Sequence, residues 1–177
     1  SKSTLNVYAG PTLINYSKAD NVYCLFDKLF AFDFHAMKES KSAITANLLV
    51  PSKFFREYGL FNSDTYSGGD VEWTKNYSTY HHIIYKEKMK VFHPPRSTLS
   101  QLKTKVRRVV GGRWKTLSIF KNFILVLSPP ARRLKKVIFS DLSPFIKIKL
   151  ILLLTYLKLI EFQELIMLIF GKSRERT

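Results

Sequence analysis

The side chains best suited to chemistry in this chain stand in three short blocks. Residues 67–73 read SGGDVEW, a glycine pair followed by Asp70 and Glu72. Gly68 and Gly69 permit positive φ and let a carboxylate come close to a ligand. A carboxylate at a pocket edge can take the proton of an attacking hydroxyl. Residues 45–61 (TANLLVPSKFFREYGLF) come before it and bring Asn47, whose amide can bond a ligand or close a turn on the backbone. His93, Pro94, Pro95 and Arg96 come after it. A single histidine is more often structural than a ligand, whereas Arg96 is a cation that can pair with a phosphate oxygen. Trp114, beside Arg113, offers an indole for stacking on a sugar or for a membrane interface. Glu72 has a plainer alternative as a first-turn carboxylate favoured by the helix dipole. Taken alone, Gly-Gly-Asp is an ordinary loop. His81 and His82 read as surface or packing residues.

The elements that must hold these groups alternate between strand and helix, which predicts an α/β layer structure. Leu5 to Ile14 reads as a strand broken at Gly10-Pro11. Residues 21–38 place Tyr23, Phe26, Leu29, Phe30 and Phe34 near helical spacing, so one aromatic-rich helix is expected. Residues 44–50 read as an apolar strand containing Asn47. A short helix follows, with Ser52 as its cap and Gly59 as its end. A further helix is expected from about Asp70 to Tyr80, then strands at 83–85 and 90–92. Residues 97–127 look helical, interrupted at Gly111-Gly112 and stopped by Pro129-Pro130. The last helix starts with Ser143 as cap and Pro144 in its first turn, and Gly171 closes it.

Charge divides the chain further. The net charge is +16, but residues 1–85 are balanced, with eight basic and eight acidic side chains. Residues 86–136 carry fifteen Lys/Arg against Glu87 alone. Such a block calls for a polyanion: nucleic acid, diphosphate or anionic lipid. Aromatics are not interleaved with these cations and no nucleic-acid-binding motif is readable, which argues against nucleic acid. Cys24 is the only cysteine, so an intramolecular disulfide and a cysteine metal site are excluded, and a reducing, cytosolic setting is the natural reading.

In the last helix the longest charge-free run is Leu150 to Leu157, short of the roughly 18 residues a membrane span needs. Lys147, Lys158 and Glu161 share one side of it. An interfacial helix lying on an anionic membrane is therefore expected, with Arg132, Arg133, Lys135 and Lys136 meeting headgroups. The alternatives are a core helix and a tilted or re-entrant span.

The three blocks, in their order, resemble the acceptor-side half of family 2 glycosyltransferases with a GT-A fold. That family's pattern is a "taN" strand, a "GgF" turn, a "GxDxE" acidic loop, then an apolar strand ending in His. The resemblance begins at about Leu5 and implies a Rossmann-like GT-A part over residues 1–98. A basic and amphipathic helical tail then covers 99–177. It implies inverting transfer from a nucleotide-sugar to a saccharide or lipid-linked acceptor at the cytoplasmic face of the membrane. Asp70 is then the general base. Glu72, Asn47, Trp114 and Gly69, which stands where a Glu is common, lie on the acceptor side. Arg96 meets the diphosphate, and His93 helps hold a divalent Mn²⁺ or Mg²⁺. Arg113-Trp114 is similar to the end of a QxxRW motif, but Val110 occupies the Gln position, so processive synthesis is not implied.

The sequence contains no Asp-x-Asp, the motif with which this family's donor-binding half chelates metal. The opening SKSTLNVYAG lacks both the regions of a signal peptide and an initiator Met. The closing GKSRERT is similar to the ends of membrane-associated bacterial members. A piece of a longer enzyme, with the donor half missing, is the expectation. The competing readings are a non-catalytic basic module that binds membrane or nucleic acid, and an inactive transferase remnant.

Overall fold

The structure, a computed structural model, describes residues 5–17, 21–65 and 67–173. The last four residues of the GKSRERT tail, and the first four of the chain, lie outside them. Within these residues the chain is a mixed α/β structure in which helix predominates.

Two chain segments build both sheets. The first supplies β1 (Val7–Ala9) and β2 (Thr12–Ile14); the second supplies β4 (Ile83–Tyr85) and β5 (Val91–His93). β1 runs parallel to β4, with Val7 opposite Ile83, and β2 runs parallel to β5, with Thr12 opposite Val91. β3 (Leu48–Leu49) pairs antiparallel on the other edge of β1. Both segments break at the same level, between the two sheets. Gly10 is required there: a Cβ on it would sit 2.0 Å from the Met89 carbonyl oxygen, closer than any side chain tolerates.

Above the three-stranded sheet, α3 (Ser52–Tyr58) and α4 (Gly69–Ser78) bury Phe54, Trp73 and Tyr77 against Val7 and Ile83. Trp73 stacks on Tyr77 with ring centroids 5.6 Å apart, and its Nε1 donates to the Gly59 carbonyl at 2.7 Å. Gly59, at φ 77°, ends α3 as expected. Ser52, however, lies inside the helix, and Pro51 takes the cap position without a side-chain bond.

Two further expectations change. The aromatic helix is split into α1 (Val22–Phe30) and α2 (Phe34–Glu39). Asp33 explains the break, because its carboxylate accepts from Ala36 N–H and starts a second helix. Residues 44–50 are mostly not a strand: Thr45–Asn47 forms a 3-10 turn, and only Leu48–Leu49 pair.

The rest is helical: α5 (Leu99–Thr116), α6 (Ile119–Leu127), α7 (Ala131–Ile138) and α8 (Pro144–Ile169). Thr98 and Gln101 form a capping box at the start of α5. α5 passes through Gly111-Gly112 unbroken, and the expected interruption falls instead at Leu117-Ser118. The glycines serve packing, since a Cβ on Gly112 would lie 2.7 Å from the Ser67 carbonyl oxygen. α8 packs chiefly on α5 and buries Leu150, Leu154, Leu157 and Leu165. Each such leucine is worth about 1.5–3 kcal/mol when fully buried. Leu25 and Phe26 of α1 join the same core. On its other side α8 leaves Phe145, Ile148, Leu152 and Leu159 exposed. The helix therefore has two apolar faces, one packed and one uncovered. Among the described residues no helix is long and apolar enough to cross a membrane.

Candidate functional site

Asp70 stands in the first turn of α4, directly after the glycine pair. Gly68 is the helix cap in the left-handed region at φ 88°, whereas Gly69 has ordinary helical geometry, so only the first glycine uses its freedom. Asp70 Oδ2 accepts two hydrogen bonds from Thr45, from its N–H at 2.8 Å and its hydroxyl at 3.0 Å. Oδ1 accepts from Val71 N–H at 2.9 Å. These three donors fix the carboxylate in place. They leave Oδ1 with one lone pair uncommitted, in a half-buried position. The "TAN" block and the glycine–acid block are thus tied together by the aspartate. Glu72, on the next position but one, accepts from the Thr65 hydroxyl at 3.3 Å and stays within the same loop.

Asn47 is buried in the gap between the two broken strands. Its Nδ2 donates to the carbonyls of Pro11 at 3.0 Å and Met89 at 2.6 Å, and its own carbonyl accepts from Gly10 N–H. Both amide hydrogens are therefore engaged by backbone, the second of the two roles that the sequence left open. His93 closes β5, which packs beside the Thr45–Asn47 turn. Its Nδ1 donates to the Pro94 carbonyl at 2.7 Å, and its ring meets Phe32 edge-on. In the neutral ring that bond leaves the lone pair on Nε2. Asp70 and Asn47 thus meet at one short turn, while the His93 side chain lies against Phe32 and Pro94.

Arg96 goes elsewhere. Its backbone N–H and guanidinium both donate to Asp27, at 3.0 and 3.1 Å, and Lys105 reaches the same carboxylate at 3.4 Å. Asp27 is almost completely buried on α1. One carboxylate thus faces two cations, and a positive charge remains. Burial and the neighbouring Arg96 lower Lys105 to about 8, despite the opposing pull of Asp27. A cavity of about 270 Å³ opens beside them, lined by Arg96, Lys105 and Arg108 with Ser100, Gln101 and Thr104. Cations and hydroxyls in that arrangement suit phosphate oxygens. Asp27 was missed in the sequence, though a signal existed: with Tyr23, Phe26 and Phe30 it shares one helix face, where a carboxylate needs a buried partner.

Trp114 is half-buried on α5 and packs on Val110, Val126, Leu165 and Leu168. Its helix lies directly on the acidic loop: Gly112 abuts Ser67, and Lys115 Nζ pairs with Asp64 at 2.8 Å. The glycine–acid loop and the Arg113-Trp114 segment are therefore neighbours.

For a divalent metal the fit is poor. Among the described residues no group of three or more His, Cys, Asp or Glu could hold an ion, and His93 offers a single nitrogen. No protein-family model, no curated protein and no solved structure matches this chain.

Proposed function

We propose that the chain is the acceptor-side part of an inverting family 2 glycosyltransferase of GT-A type, with Asp70 as general base. The observation carrying this reading is the Asp70 carboxylate, fixed by Thr45 and Val71 yet keeping one lone pair on Oδ1. An acceptor hydroxyl donating to Oδ1 would pass its proton there as its oxygen attacks the anomeric carbon. The bond to the nucleoside diphosphate breaks with its electron pair, and the configuration inverts. Glu72 and Trp114 lie beside that loop as acceptor contacts. The nucleotide-sugar and any Mn²⁺ or Mg²⁺ would be held mainly by a donor-binding part outside these residues.

Joined to such a donor half, Asp70→Asn is expected to lower transfer at least 100-fold with nucleotide-sugar affinity and folding retained. Normal turnover by that variant would remove Asp70 from the role of base.

A second reading has its own support. The uncovered apolar face of α8, with Ile119, Phe120 and Leu127 exposed on α6 and basic side chains on α7, suits a module lying on an anionic membrane at the cytoplasmic face. Flotation with anionic vesicles should succeed, and Phe145→Ser/Leu152→Ser/Leu159→Ser should abolish it without unfolding the chain. Equal flotation of the triple variant would dismiss this surface.

A further inference from the structure

A second, larger cavity lies among the helices. It measures about 550 Å³ and opens between α1, α5, α7 and α8 and the Pro129-Pro130 link. That size falls in the ~300–1,000 Å³ range of small-molecule sites. Its floor is apolar: Phe26, Leu102, Leu154 and Leu157 are all buried members of the main core. Its walls are cationic.

Two acids line the cavity, and each has a partner already. Asp33 pairs with Arg132 at 3.5 Å, and Glu161 with Lys158 at 2.8 Å. Among the described residues no carboxylate forms an ion pair with Arg113 from α5, or with Arg133 and Lys136 from α7, although Glu161 acts on Arg113 electrostatically. Arg133 and Lys136 sit over the Phe30 ring at 5.8 and 6.0 Å, and Lys136 Nζ donates to the Leu29 carbonyl at 2.9 Å. Arg113 is the anomaly. Its Nε and one terminal guanidinium nitrogen are buried without any hydrogen-bond partner. Unmet donors on a charged group are costly in a folded protein; both atoms are closed off from the open cavity, so an oxyanion reaches them once the guanidinium turns outward.

We propose that this cavity binds a phosphate monoester carrying one linear apolar tail, the headgroup meeting Arg113, Arg133 and Lys136 and the tail lying on the leucine floor. A phosphate has three terminal oxygens and close to two charges at neutral pH, enough to serve three cations converging from two helices. A carboxylate has only two oxygens to offer. Free phosphate would leave the apolar floor uncovered, and an uncharged amphiphile would leave the cationic walls without a counter-charge. This site is independent of the transferase reading.

The test is calorimetric titration of the whole 177-residue chain at physiological salt, using dodecyl phosphate below its micelle concentration. The comparators are inorganic phosphate and monomeric dodecyl maltoside. Dodecyl phosphate should bind 1:1 and at least tenfold more tightly than either comparator. Arg113→Gln should weaken it about tenfold, as should the exposed pair Arg133→Gln/Lys136→Gln, which leaves the core untouched. Leu125→Trp, at the cavity mouth, should block the tail while keeping every charge. Lys88→Gln/Lys90→Gln, which removes two exposed cations elsewhere, should change nothing. Circular dichroism checks the folding of each variant. Equal binding of inorganic phosphate would reduce the cavity to an anion site, and equal binding of the maltoside to an apolar patch; either overturns the proposal. So would a control pair that weakens binding as much as the cavity pair.

Discussion

Around the aromatic core of α3 and α4, polar groups are closed off one at a time. Trp73 Nε1 bonds Gly59, the buried Thr74 hydroxyl accepts from Ala43 N–H, and the Tyr85 hydroxyl donates to Ser42. In the helical half, by contrast, buried carboxylates each gather two cations. Asp27 holds Arg96 and Lys105; Glu164, 1 % exposed, holds Arg107 at 3.7 Å and Lys172 at 2.8 Å. Further cations and apolar side chains there remain uncovered. The polar groups at the aromatic core are met within it, whereas the helical half carries surplus charge.

The largest effect should come from breaking an ionic node. Asp27→Ala leaves two partly buried cations facing each other, so a loss of about 3 kcal/mol is expected, read as a lower urea midpoint at an unchanged slope. A loss under about 1 kcal/mol would mean that the node behaves like a surface pair and that the contrast with the aromatic core is overdrawn.

Next comes the seam between the halves. Gly112→Val drives a side chain into the Ser67 backbone, and overpacking of this kind costs about 1–3 kcal/mol. Because the strain falls on the acidic loop, amide exchange at residues 67–70 should quicken more than exchange in β1 or β4. Uniform quickening would show that the two regions do not meet at this point.

The smallest effect is a pH dependence. Lys105 falls from 10.5 to about 8, chiefly through burial. Below about pH 8 both the folded and unfolded chains hold its proton, so stability has no slope from this group. Between about 8 and 10.5 the unfolded chain binds the proton that the folded chain has released, so folding gains as pH rises. The stability of the wild type relative to Lys105→Met should therefore improve by on the order of 1–2 kcal/mol between pH 7.5 and pH 10. A flat difference would place Lys105 in solvent rather than in the node.

Much of the fold was legible in local pattern. The strands at 7–14 and 83–93, the cap and end of the last helix, and the helix after the glycine pair all follow from apolar spacing and turn residues, which act within a few positions. The aromatic spacing over residues 21–38 runs on past Asp33 and so predicts one helix, whereas Asp33 caps a second one. Gly111-Gly112 was read as a break because glycine weakens an isolated helix, yet α5 continues through it to let another backbone approach. Asp70 stands out in the sequence as a candidate through its glycines, but its tie to Thr45 does not. Asn47 was ambiguous until the carbonyls of Pro11 and Met89, dozens of residues away on either side, closed around it.

The sequence by itself determined the charge division, the single cysteine, the apolar terminal helix and the order of the three blocks. These depend on composition and short-range periodicity, which survive without knowledge of contacts. Tertiary structure alone decided which charges are already paired: Arg96 engaged by Asp27, Arg113 left with buried donors, one face of α8 packed and the other bare. Pairing and burial depend on which distant segments meet, and no local pattern encodes that.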